Sequence, residues 1–576
     1  MKELEKAKKV FDHWLSSDCF DSDTKKELMA IAGDDREILE RFGKDLEFGT
    51  GGMRGILGAG INRINRYTVR RATYALAQCL KETGDTDKGV VIAYDSRFGS
   101  REFSLEAAMT LNACGIPAYR FESLRPTPEL SFAVRKLGCL AGIVITASHN
   151  PAEYNGYKVY WQDGGQITLT HAREIMKAYE EIHTFEEIPV ISIQEAKEQG
   201  LFHEIGEEID SAYYEAVMDS VIHPELAGEY GPALRIVYTP LHGTGRIPVM
   251  KILADLGFDD VHVVKEQEDP DGSFATCEYP NPEAREAWNL ALKLAERIHA
   301  DLVLATDPDA DRLGLWVPDD RGTYHFFNGN MTGILLADYI LKEKKNSGTL
   351  PDNAAIGKTI VSSQMAVPLA EKYGVRLFET LTGFKFIGEK IQEFEESGES
   401  CFVFGFEESF GCLAGTAVRD KDAVQETALL CEAAAFYHSK GKTLLEVMED
   451  LYREYGWFLE GQTSVSFQGI SGKERMKQIM EQLRSHPLKE IAGKKTLAIR
   501  DYKTGIRTDL ESGEKKKLDL PSSNVLYYEL EKGWCAVRPS GTEPKIKFYF
   551  GTEAAERTAA EEERKAMKQA LKEIGA

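Results

Sequence analysis

Three stretches of the chain share one layout, and this layout is the strongest constraint on how the chain folds. Each begins with a short apolar run that ends in a polar or glycine-rich turn. Helical sequence follows, and then a second apolar run that leads directly into a cluster of polar residues. The first runs lie at 90–93, 235–238 and 358–361, and the second at 141–145, 302–305 and 402–404. Strands that alternate with helices in this way are typical of α/β domains.

The same layout predicts where a ligand binds. Open α/β sheets bind ligands beyond the carboxyl ends of their strands, so polar clusters at three matching places indicate related domains around one cleft. The similarity is one of arrangement, and coincidence among ordinary strand-to-helix turns is the alternative. From about Gly456 the pattern changes to a smaller α+β unit. Its strands are predicted at 463–467, 496–501 and 545–550, and a charged helical tail at 553–574 is predicted to present a solvated face.

A chain of 576 residues is long enough for several domains, each with its own core. We expect three related α/β domains with mixed sheets and a smaller C-terminal α+β domain around a central cleft. The predicted boundaries are 1–212, 213–325, 326–455 and 456–576.

The composition excludes several classes of function. The chain carries 93 acidic and 70 basic residues, which gives a formal net charge of −23 and a field that repels nucleic acid and anionic lipid. No apolar run approaches the ~20 residues that cross a bilayer, and the amphipathic start of the chain lacks the apolar core of a secretory signal. We expect a cytoplasmic protein. Its nine cysteines contain no CxxC pair and are predicted to be buried thiols.

The second polar cluster predicts a metal site. Asp307, Asp309 and Asp311 alternate where the apolar run ends, and such closely spaced hard oxygen ligands suit Mg²⁺. Without a cation, three carboxylates this close would repel one another strongly. A calcium-binding EF-hand loop is excluded, because Arg312 stands where its sixth-place Gly is required and Pro318 where its twelfth-place Glu is required.

The first polar cluster offers a candidate nucleophile. Residues 146–151, Thr-Ala-Ser-His-Asn-Pro, place the Ser148 hydroxyl beside the His149 imidazole just after a buried strand. Local hydrogen bonding in a turn is the alternative for such a sequence. Lys158 follows a tight return that Gly156 permits, and a lysine with a lowered pKa could exchange protons with a hydroxyl.

Two further segments suit the binding of phosphate and of sugar hydroxyls, and a third presents an arginine on a glycine-rich loop. Residues 538–547 combine the Arg538 guanidinium with hydroxyls and the backbone amides of a Ser-Gly-Thr turn, which together resemble a phosphate cradle. Residues 48–55 form a glycine-rich loop that presents Arg54 but matches neither nucleotide-binding fingerprint. Glu407 and Ser409 could bind vicinal sugar hydroxyls. A surface turn is the alternative for residues 538–547, and solvated acidic side chains are the alternative for residues 407–409.

Taken together, four motifs resemble those of the α-D-phosphohexomutase superfamily, in the same order and over the whole chain. Thr-Ala-Ser-His-Asn-Pro resembles its phosphoserine loop, Asp-Pro-Asp-Ala-Asp-Arg its magnesium loop, Gly-Phe-Glu-Glu-Ser its sugar-binding loop, and Arg-Pro-Ser-Gly-Thr-Glu-Pro its phosphate-binding loop. The length of the chain and the insertion of Phe406 look most like the longer bacterial phosphoglucomutases related to the phosphopentomutase branch.

The resemblance implies a role for each site residue. Ser148 would carry the phosphoryl group, and one of its phosphate oxygens would bind Mg²⁺ together with Asp307, Asp309 and Asp311. The other catalytic residues would be Arg54, Lys158 and His149. The residues implied in substrate binding are Glu407, Ser409, Lys421, Arg312, Arg538, Ser540, Gly541, Thr542 and Lys547. Lys547 stands where the family commonly has Arg, so its part in phosphate binding is open.

The implied reaction interconverts glucose 1-phosphate and glucose 6-phosphate through a bisphosphorylated sugar, with glucose 1,6-bisphosphate as activator. The expected partners are small sugar phosphates, with no nucleic acid and no membrane, and the chain would be a monomer or a homodimer. Mannose or pentose phosphates as substrates, and a noncatalytic sugar-phosphate-binding protein, are the alternatives.

Overall fold

The computed structural model describes residues 2–49, 51–467, 470–540 and 545–575, which form two compact units. The first unit comprises Met1–Phe327, Ile387–Gly398 and Ser409–Gly441. The second comprises Asn328–Phe386, Glu399–Glu408 and Lys442–Ala576. Each unit therefore contains segments that are distant in the sequence.

The first unit begins with three short helices that pack around Trp14. The helices are α1 (Lys2–Ser16), α2 (Ser22–Ala30) and α3 (Asp35–Phe42). Asp21 and Asp34 cap the second and third helices by accepting hydrogen bonds from backbone amides of the first turn. The Trp14 ring has no exposed surface and stacks on Phe20, with ring centroids 4.1 Å apart. The amphipathic pattern at the start of the chain thus forms α1, with its apolar face buried.

A six-stranded mixed sheet follows in the first unit. Its strands and helices are β1 (Gly52–Ile56), α4 (Arg66–Thr83), β2 (Val90–Tyr94), α5 (Ser100–Ala113), β3 (Ala118–Phe121), α6 (Thr127–Leu137), β4 (Ala141–Ile145), β5 (Tyr154–Trp161), α7 (Leu169–Glu181), α8 (Ile193–Glu198) and β6 (Phe202–Ile205). The strand order is β1-β5-β4-β2-β3-β6. The strands β2, β3, β4 and β6 are parallel, while β5 pairs antiparallel with both β4 and β1.

A five-stranded mixed sheet completes the α/β part of the first unit. Its elements are α9 (Glu207–Met218), α10 (Pro224–Tyr230), β7 (Ile236–Thr239), α11 (Arg246–Asp255), β8 (Val261–Val263), α12 (Asn289–Ile298), β9 (Leu302–Thr306), β10 (Leu313–Pro318) and β11 (Tyr324–Phe327). The strand order is β11-β10-β9-β7-β8, with β7, β8 and β9 parallel.

The third α/β region contributes to both units. Its elements are α13 (Gly329–Asn346), β12 (Ala354–Thr359), α14 (Ala366–Tyr373), β13 (Arg376–Thr380), α15 (Phe384–Ser397), β14 (Cys401–Glu407), β15 (Gly411–Ala414), α16 (Ala423–His438) and α17 (Leu444–Tyr455). In the second unit, β12 lies between β13 and β14 and is parallel to both. The strand β15 and the helix α16 belong to the first unit.

The repeated layout predicted from the sequence is present in all three α/β regions. In each region the strand formed by the first apolar run is the parallel neighbour of the strand formed by the second, namely β2 with β4, β7 with β9 and β12 with β14. The prediction is wrong for one strand, because β12 covers Ala354–Thr359 rather than 358–361. Small side chains at 354, 355 and 357 make the true strand a weaker apolar signal than the run that follows it.

The C-terminal region of the second unit is an antiparallel sheet with two helices. Its elements are β16 (Trp457–Ser466), α18 (Ile470–Ser485), β17 (Glu490–Ile491), β18 (Lys494–Asp501), β19 (Ile506–Asp509), β20 (Lys515–Lys517), β21 (Leu526–Leu530), β22 (Trp534–Pro539), β23 (Lys545–Ala554) and α19 (Arg557–Gly575). The main strand order is β16-β23-β22-β21-β18-β19-β20. Three mixed-sheet α/β regions and an antiparallel C-terminal domain confirm the predicted fold class. The central cleft and the predicted domain boundaries stay predictions.

The C-terminal helix α19 presents the predicted solvated face, while Ala560, Met567 and Leu571 are fully buried along its other side. The expectation for the cysteines needs correction. The cysteines are free thiols, but only five of the nine are buried, and Cys401 is exposed. Within the described parts of the chain, every helix is too short or too polar to cross a membrane.

Gly156 serves a different purpose from the turn predicted at its position. It lies inside β5, opposite Arg54 of β1. A Cβ atom at this position would lie 2.5 Å from the Thr146 carbonyl oxygen and 2.8 Å from the Met53 carbonyl oxygen. Both obstacles are backbone atoms and cannot rotate away, so the close approach of three strands requires a residue without a side chain.

We predict that Gly156→Ala lowers the thermal midpoint of the protein by several degrees, because accommodating the methyl group costs roughly 1 to 3 kcal/mol in a packed interior. Gly228→Ala is the matched control. That residue lies in α10, where an added Cβ atom would have no neighbour within 4 Å, and alanine favours a helix. Differential scanning calorimetry of both variants tests this. Equal midpoints for the two variants would contradict the packing argument.

Candidate active site

Three buried aspartates form a cluster in the loop after β9. Asp307, Asp309 and Asp311 are at most 4% exposed, and each offers a carboxylate oxygen within 4.8 Å of the others. Among the residues that the structure describes, this is the one group of three or more potential metal ligands. The loop turns tightly at Ala310, whose φ of 50° is in the left-handed region. The amides of Asp311 and Arg312 donate to Asp307 Oδ1, both at 3.2 Å.

The pKa values of Asp307 and Asp309 shift in opposite directions. Burial, reinforced by the charges of Asp309 and Asp311, raises the pKa of Asp307 well above its usual value. Burial also opposes the ionisation of Asp309, but its ion pair with Lys158 outweighs this and lowers the pKa of Asp309. The ion pair with Lys158 thus favours the charged form of Asp309, while burial and repulsion disfavour the charged form of Asp307.

The cluster fits a divalent cation. Asp309 Oδ1 and Asp311 Oδ1 are buried without a hydrogen-bond partner, which is costly for a carboxylate unless a cation satisfies it. Hard carboxylate oxygens at this spacing suit Mg²⁺. The donor set is thus consistent with the metal site predicted from the sequence.

Ser148 lies directly against this cluster. It follows β4 after three residues, is 2% exposed, and its hydroxyl donates to Asp307 Oδ2 at 2.7 Å. Its backbone φ of 51° is unusual for a residue with a side chain, and its amide donates to Thr146 Oγ1 at 2.8 Å. The structure therefore brings together the candidate nucleophile and the acidic cluster, which are 159 residues apart in the sequence.

The His149 imidazole lies beside the same hydroxyl, with Nδ1 3.1 Å from Ser148 Oγ. Burial, with additional repulsion from Arg312, Arg54 and Arg97, lowers the pKa of His149 well below its usual value. The imidazole is therefore neutral, and one of its nitrogens is able to accept a proton.

Two lysines place positive charge on the acidic cluster. Lys158 Nζ, on β5, donates to Asp309 Oδ2 at 2.7 Å, and Lys421 Nζ lies 3.3 Å from Asp311 Oδ2. Burial opposes the charge of Lys158, but the nearby carboxylates Asp309, Asp311 and Asp420 outweigh it and raise its pKa. The lowered pKa expected from the sequence is wrong for this state, because that expectation did not include an ion pair with the acidic loop.

Two of the predicted arginines lie at the edges of the site. Arg54 is an exposed residue on β1 and donates through Nη1 to Asn150 Oδ1 at 2.9 Å. Arg312 donates to Glu283 Oε1 at 3.1 Å, and its Nε lies 3.7 Å from Asp311 Oδ1. Arg54 therefore contacts the segment between β4 and β5, residues 146–153 (the Ser148 loop). Arg312 contacts the segment between β9 and β10, residues 307–312 (the acidic loop).

Sequence reasoning missed several residues that hold the site together. Thr127, at the start of α6, donates through its hydroxyl to Asp309 Oδ2 and through its amide to Asp309 O, both at 2.9 Å. The Tyr160 hydroxyl donates to Asp420 Oδ2 at 2.6 Å, and Asp420 lies beside Lys421. Arg97 contacts the backbone of the Ser148 loop. In the sequence Arg97 is only part of a polar turn after an apolar run, and no motif marks the other residues.

The remaining predicted residues lie on other strands and loops, and each is described within its own unit. Glu407 ends β14 in the second unit, is buried, and accepts a hydrogen bond from the Gly383 amide at 2.7 Å. Arg538 and Lys547 are register partners on β22 and β23 of the same unit, and Ser540 follows β22. Ser409 belongs to the first unit. Gly541 and Thr542 lie outside the described residues. The binding roles of all of these residues stay predictions.

Models of one protein family match four consecutive regions of the chain. Residues 45–186, 211–322 and 328–455 match the three alpha/beta/alpha domains of the phosphoglucomutase/phosphomannomutase family, and residues 489–568 match its C-terminal domain. The three N-terminal helices precede the first matched region.

Individual proteins are similar over nearly the whole chain. A phosphoglucomutase of Staphylococcus epidermidis is 38% identical over 541 residues, which covers 94% of this chain and 95% of that protein. A phosphoglucomutase of Staphylococcus aureus is 38% identical over 517 residues, covering 89% of this chain and 91% of that protein.

Solved structures show the same fold at lower identity. The open form of a phosphoglucomutase from Paramecium, pp63/parafusin, superposes with a TM-score of 0.68 at 18% identity and covers 92% of this chain and 94% of its own. A phosphoglucomutase/phosphomannomutase family protein of Burkholderia thailandensis gives a TM-score of 0.64 at 18% identity, with 92% and 97% covered. Together with the matched domains and the 38% identity, these comparisons establish that the chain belongs to the α-D-phosphohexomutase superfamily.

Proposed function

We propose that this phosphohexomutase is a phosphoglucomutase that interconverts α-D-glucose 1-phosphate and glucose 6-phosphate through a phosphoserine at Ser148. The observation that carries the proposal is the 2.7 Å contact between Ser148 Oγ and Asp307 inside a buried carboxylate cluster. A serine used only for a turn has no reason to be buried against three acids. The glucose preference rests on the two relatives named phosphoglucomutase.

Reversible phosphorylation of Ser148 would explain why this serine lies against the acidic cluster. Moving a phosphate between O1 and O6 of one sugar requires a place to hold it while the sugar turns. Phosphoserine 148 would give its phosphoryl group to the free sugar hydroxyl, breaking the bond to Ser148 Oγ and forming a bisphosphorylated sugar. After the sugar turns, the other phosphate returns to Ser148. Glucose 1,6-bisphosphate supplied from solution would phosphorylate the free serine in the same way.

When the second phosphate returns from the sugar to Ser148, the serine must lose its hydroxyl proton and the sugar oxygen must gain one. Ser148 Oγ attacks the phosphorus and loses its proton, which the hydroxyl already donates to Asp307 Oδ2 at 2.7 Å, while His149 Nδ1, 3.1 Å away, is placed to donate a hydrogen bond to the same oxygen. Lys158, charged because of its carboxylate neighbours, would donate a proton to the departing sugar oxygen. Arg54 is the exposed cation beside the Ser148 loop and would offset negative charge on the group in transfer.

Asp307, Asp309 and Asp311 would hold Mg²⁺ together with one oxygen of the phosphoserine. When bound, the ion would neutralise charge on the transferring phosphoryl group. Arg312 would position the acidic loop. From the family resemblance, Glu407 and Ser409 would bind sugar hydroxyls, and Arg538, Ser540, Gly541 and Thr542, with Lys421 and Lys547, would hold the phosphate that is not reacting.

A phosphomannomutase is the second candidate, because the matching family models describe both activities. We predict that kcat/KM for glucose 1-phosphate exceeds that for mannose 1-phosphate and ribose 1-phosphate. Coupled assays with each substrate at saturating bisphosphate measure the ranking. A higher value for mannose 1-phosphate would replace the proposed substrate while leaving the mechanism unchanged.

We predict that Ser148→Ala reduces kcat at least about 10³-fold, because it removes the hydroxyl that takes up the phosphoryl group. The intact mass of the wild-type protein should exceed the value calculated from the sequence by about 80 Da, and the variant should lack this increment. Ser16→Ala, on an exposed helix end, is the control and should retain it. Wild-type turnover by Ser148→Ala would disprove the phosphoserine mechanism.

We predict that exhaustive chelation with EDTA abolishes mutase activity and that Mg²⁺ restores it. Because Mg²⁺ would relieve repulsion among the three buried carboxylates, it should also raise the thermal midpoint of the chelated protein. Asp309→Asn should weaken both responses. Full activity in the chelator, with no shift of the midpoint on adding Mg²⁺, would contradict the metal site.

A further inference from the structure

Arg97 is fully buried in the segment between β2 and α5. Its side chain and that of Asp95 have no exposed surface, and the guanidinium lies 4.8 Å from the centroid of the Phe274 ring. None of the proposed catalytic steps uses Arg97. A buried guanidinium is costly unless its donors are satisfied, so its hydrogen-bond partners indicate its purpose.

The partners of Arg97 are three backbone carbonyls of the Ser148 loop and the carbonyl of Tyr154, the first residue of β5. Nη1 donates to Pro151 O at 2.8 Å and to Tyr154 O at 3.1 Å. Nη2 donates to Asn150 O at 2.5 Å and also to Ser148 O. One planar guanidinium thus holds four carbonyl groups over seven residues, including the carbonyl of the candidate nucleophile itself.

Asp95 pairs electrostatically with the guanidinium and anchors the turn that carries it. Its Oδ2 lies 3.3 Å from Arg97 Nε, and its Oδ1 accepts from the Arg97 amide at 2.9 Å and from Ser100 Oγ at 2.7 Å. Ser100 Oγ in turn accepts from Asn155 Nδ2 at 2.9 Å. The turn after β2 therefore contacts the Ser148 loop through Arg97, and Asn155 at the start of β5 contacts Ser100 at the start of α5.

The Ser148 loop needs such support because its backbone is strained. A residue with a side chain pays a conformational penalty at a φ of 51°. A conformation of this kind persists only when its surroundings hold it. Relaxation of Ser148 toward an ordinary φ would rotate its side chain and move Oγ away from Asp307.

We propose that Arg97, held by Asp95, is a positioning residue that keeps the Ser148 loop in the strained conformation required for phosphoryl transfer. This inference rests on the proposed function. Arg97 contacts neither the acidic cluster nor the Ser148 hydroxyl in the hydrogen bonds described above. Its effect is to hold the reacting oxygen in place, and small displacements of a reacting group cost large factors in rate.

Arg97→Lys tests the proposal. Lysine keeps the charge but has one nitrogen in place of the planar fork, so it cannot hold all four carbonyls. We predict that kcat falls about 100-fold while KM for glucose 1-phosphate changes less than about threefold, because a displaced nucleophile affects the chemical step and not substrate binding. Unchanged kcat in a folded Arg97→Lys protein would overturn the inference.

Arg120→Lys is the matched control. Arg120 is a buried arginine on β3 of the same sheet, donates to Ser104 Oγ and to the Phe121 carbonyl, and does not contact the Ser148 loop in the described hydrogen bonds. The Arg120→Lys substitution should lower the thermal midpoint of the protein without a loss of kcat comparable to that of Arg97→Lys. If Arg120→Lys loses as much kcat as Arg97→Lys at the same loss of stability, the effect is one of general destabilisation and the inference is wrong.

Asp95→Asn provides a second, milder test if Arg97→Lys does not fold. Asparagine retains the shape of the side chain but not the ion pair, and we predict a fall in kcat of about 10-fold with KM unchanged. In the double variant the two losses should not add, because both act through one set of hydrogen bonds. Additive losses, or wild-type kcat in Asp95→Asn, would contradict the assigned role.

The mass of the phosphorylated protein separates this inference from the proposed function. If the wild-type protein carries no phosphoryl group on Ser148 and has no mutase activity, the proposed function fails. If the wild-type protein carries the group and is active, but Arg97→Lys matches it in kcat, only the positioning role of Arg97 fails.

Discussion

The confinement of three carboxylates in one buried loop is the constraint on which the rest of the active centre depends. Such a loop is stable only if positive charge and hydrogen-bond donors surround it. They come from distant parts of the chain: Lys158 from β5, Lys421 from the segment before α16, and Thr127 from the start of α6. The first two sheets and the helix α16 are therefore joined at the acidic loop. The same demand for positive charge makes the loop a suitable place for a divalent cation.

The features that could be predicted from the sequence are those that depend on residues close together in the chain. An apolar run followed by a polar cluster is visible within ten residues, so the parallel pairs of strands and the positions of Ser148 and Asp307 followed from their alternation with helices. Open α/β sheets bind ligands at one edge, which is why two clusters far apart in sequence were expected to meet. The error at β12 arose where small residues weakened the apolar signal of a buried strand.

The supporting interactions were not predictable because they join segments that have no local pattern in common. Arg97 meets carbonyl groups, which every residue has, so no partner residue type marks its role in the sequence. The pKa of Lys158 depends on carboxylates about 150 residues away, and its direction was opposite to that expected for a lysine considered alone. Gly156 resembled a turn residue, whereas it separates two backbones that approach from either side. In each case tertiary packing determines the chemistry of a residue whose type is ordinary.

The helix α16 has a consequence for how the chain is made. It is buried on all sides and contacts α9, α10 and α11, which precede it by some two hundred residues. During synthesis those three helices leave the ribosome long before their partner does. Until residue 438 has emerged, the nascent first unit exposes the apolar surface that α16 later covers. At roughly 5 to 20 residues per second this interval lasts on the order of ten seconds or more, ample time for a chaperone to bind.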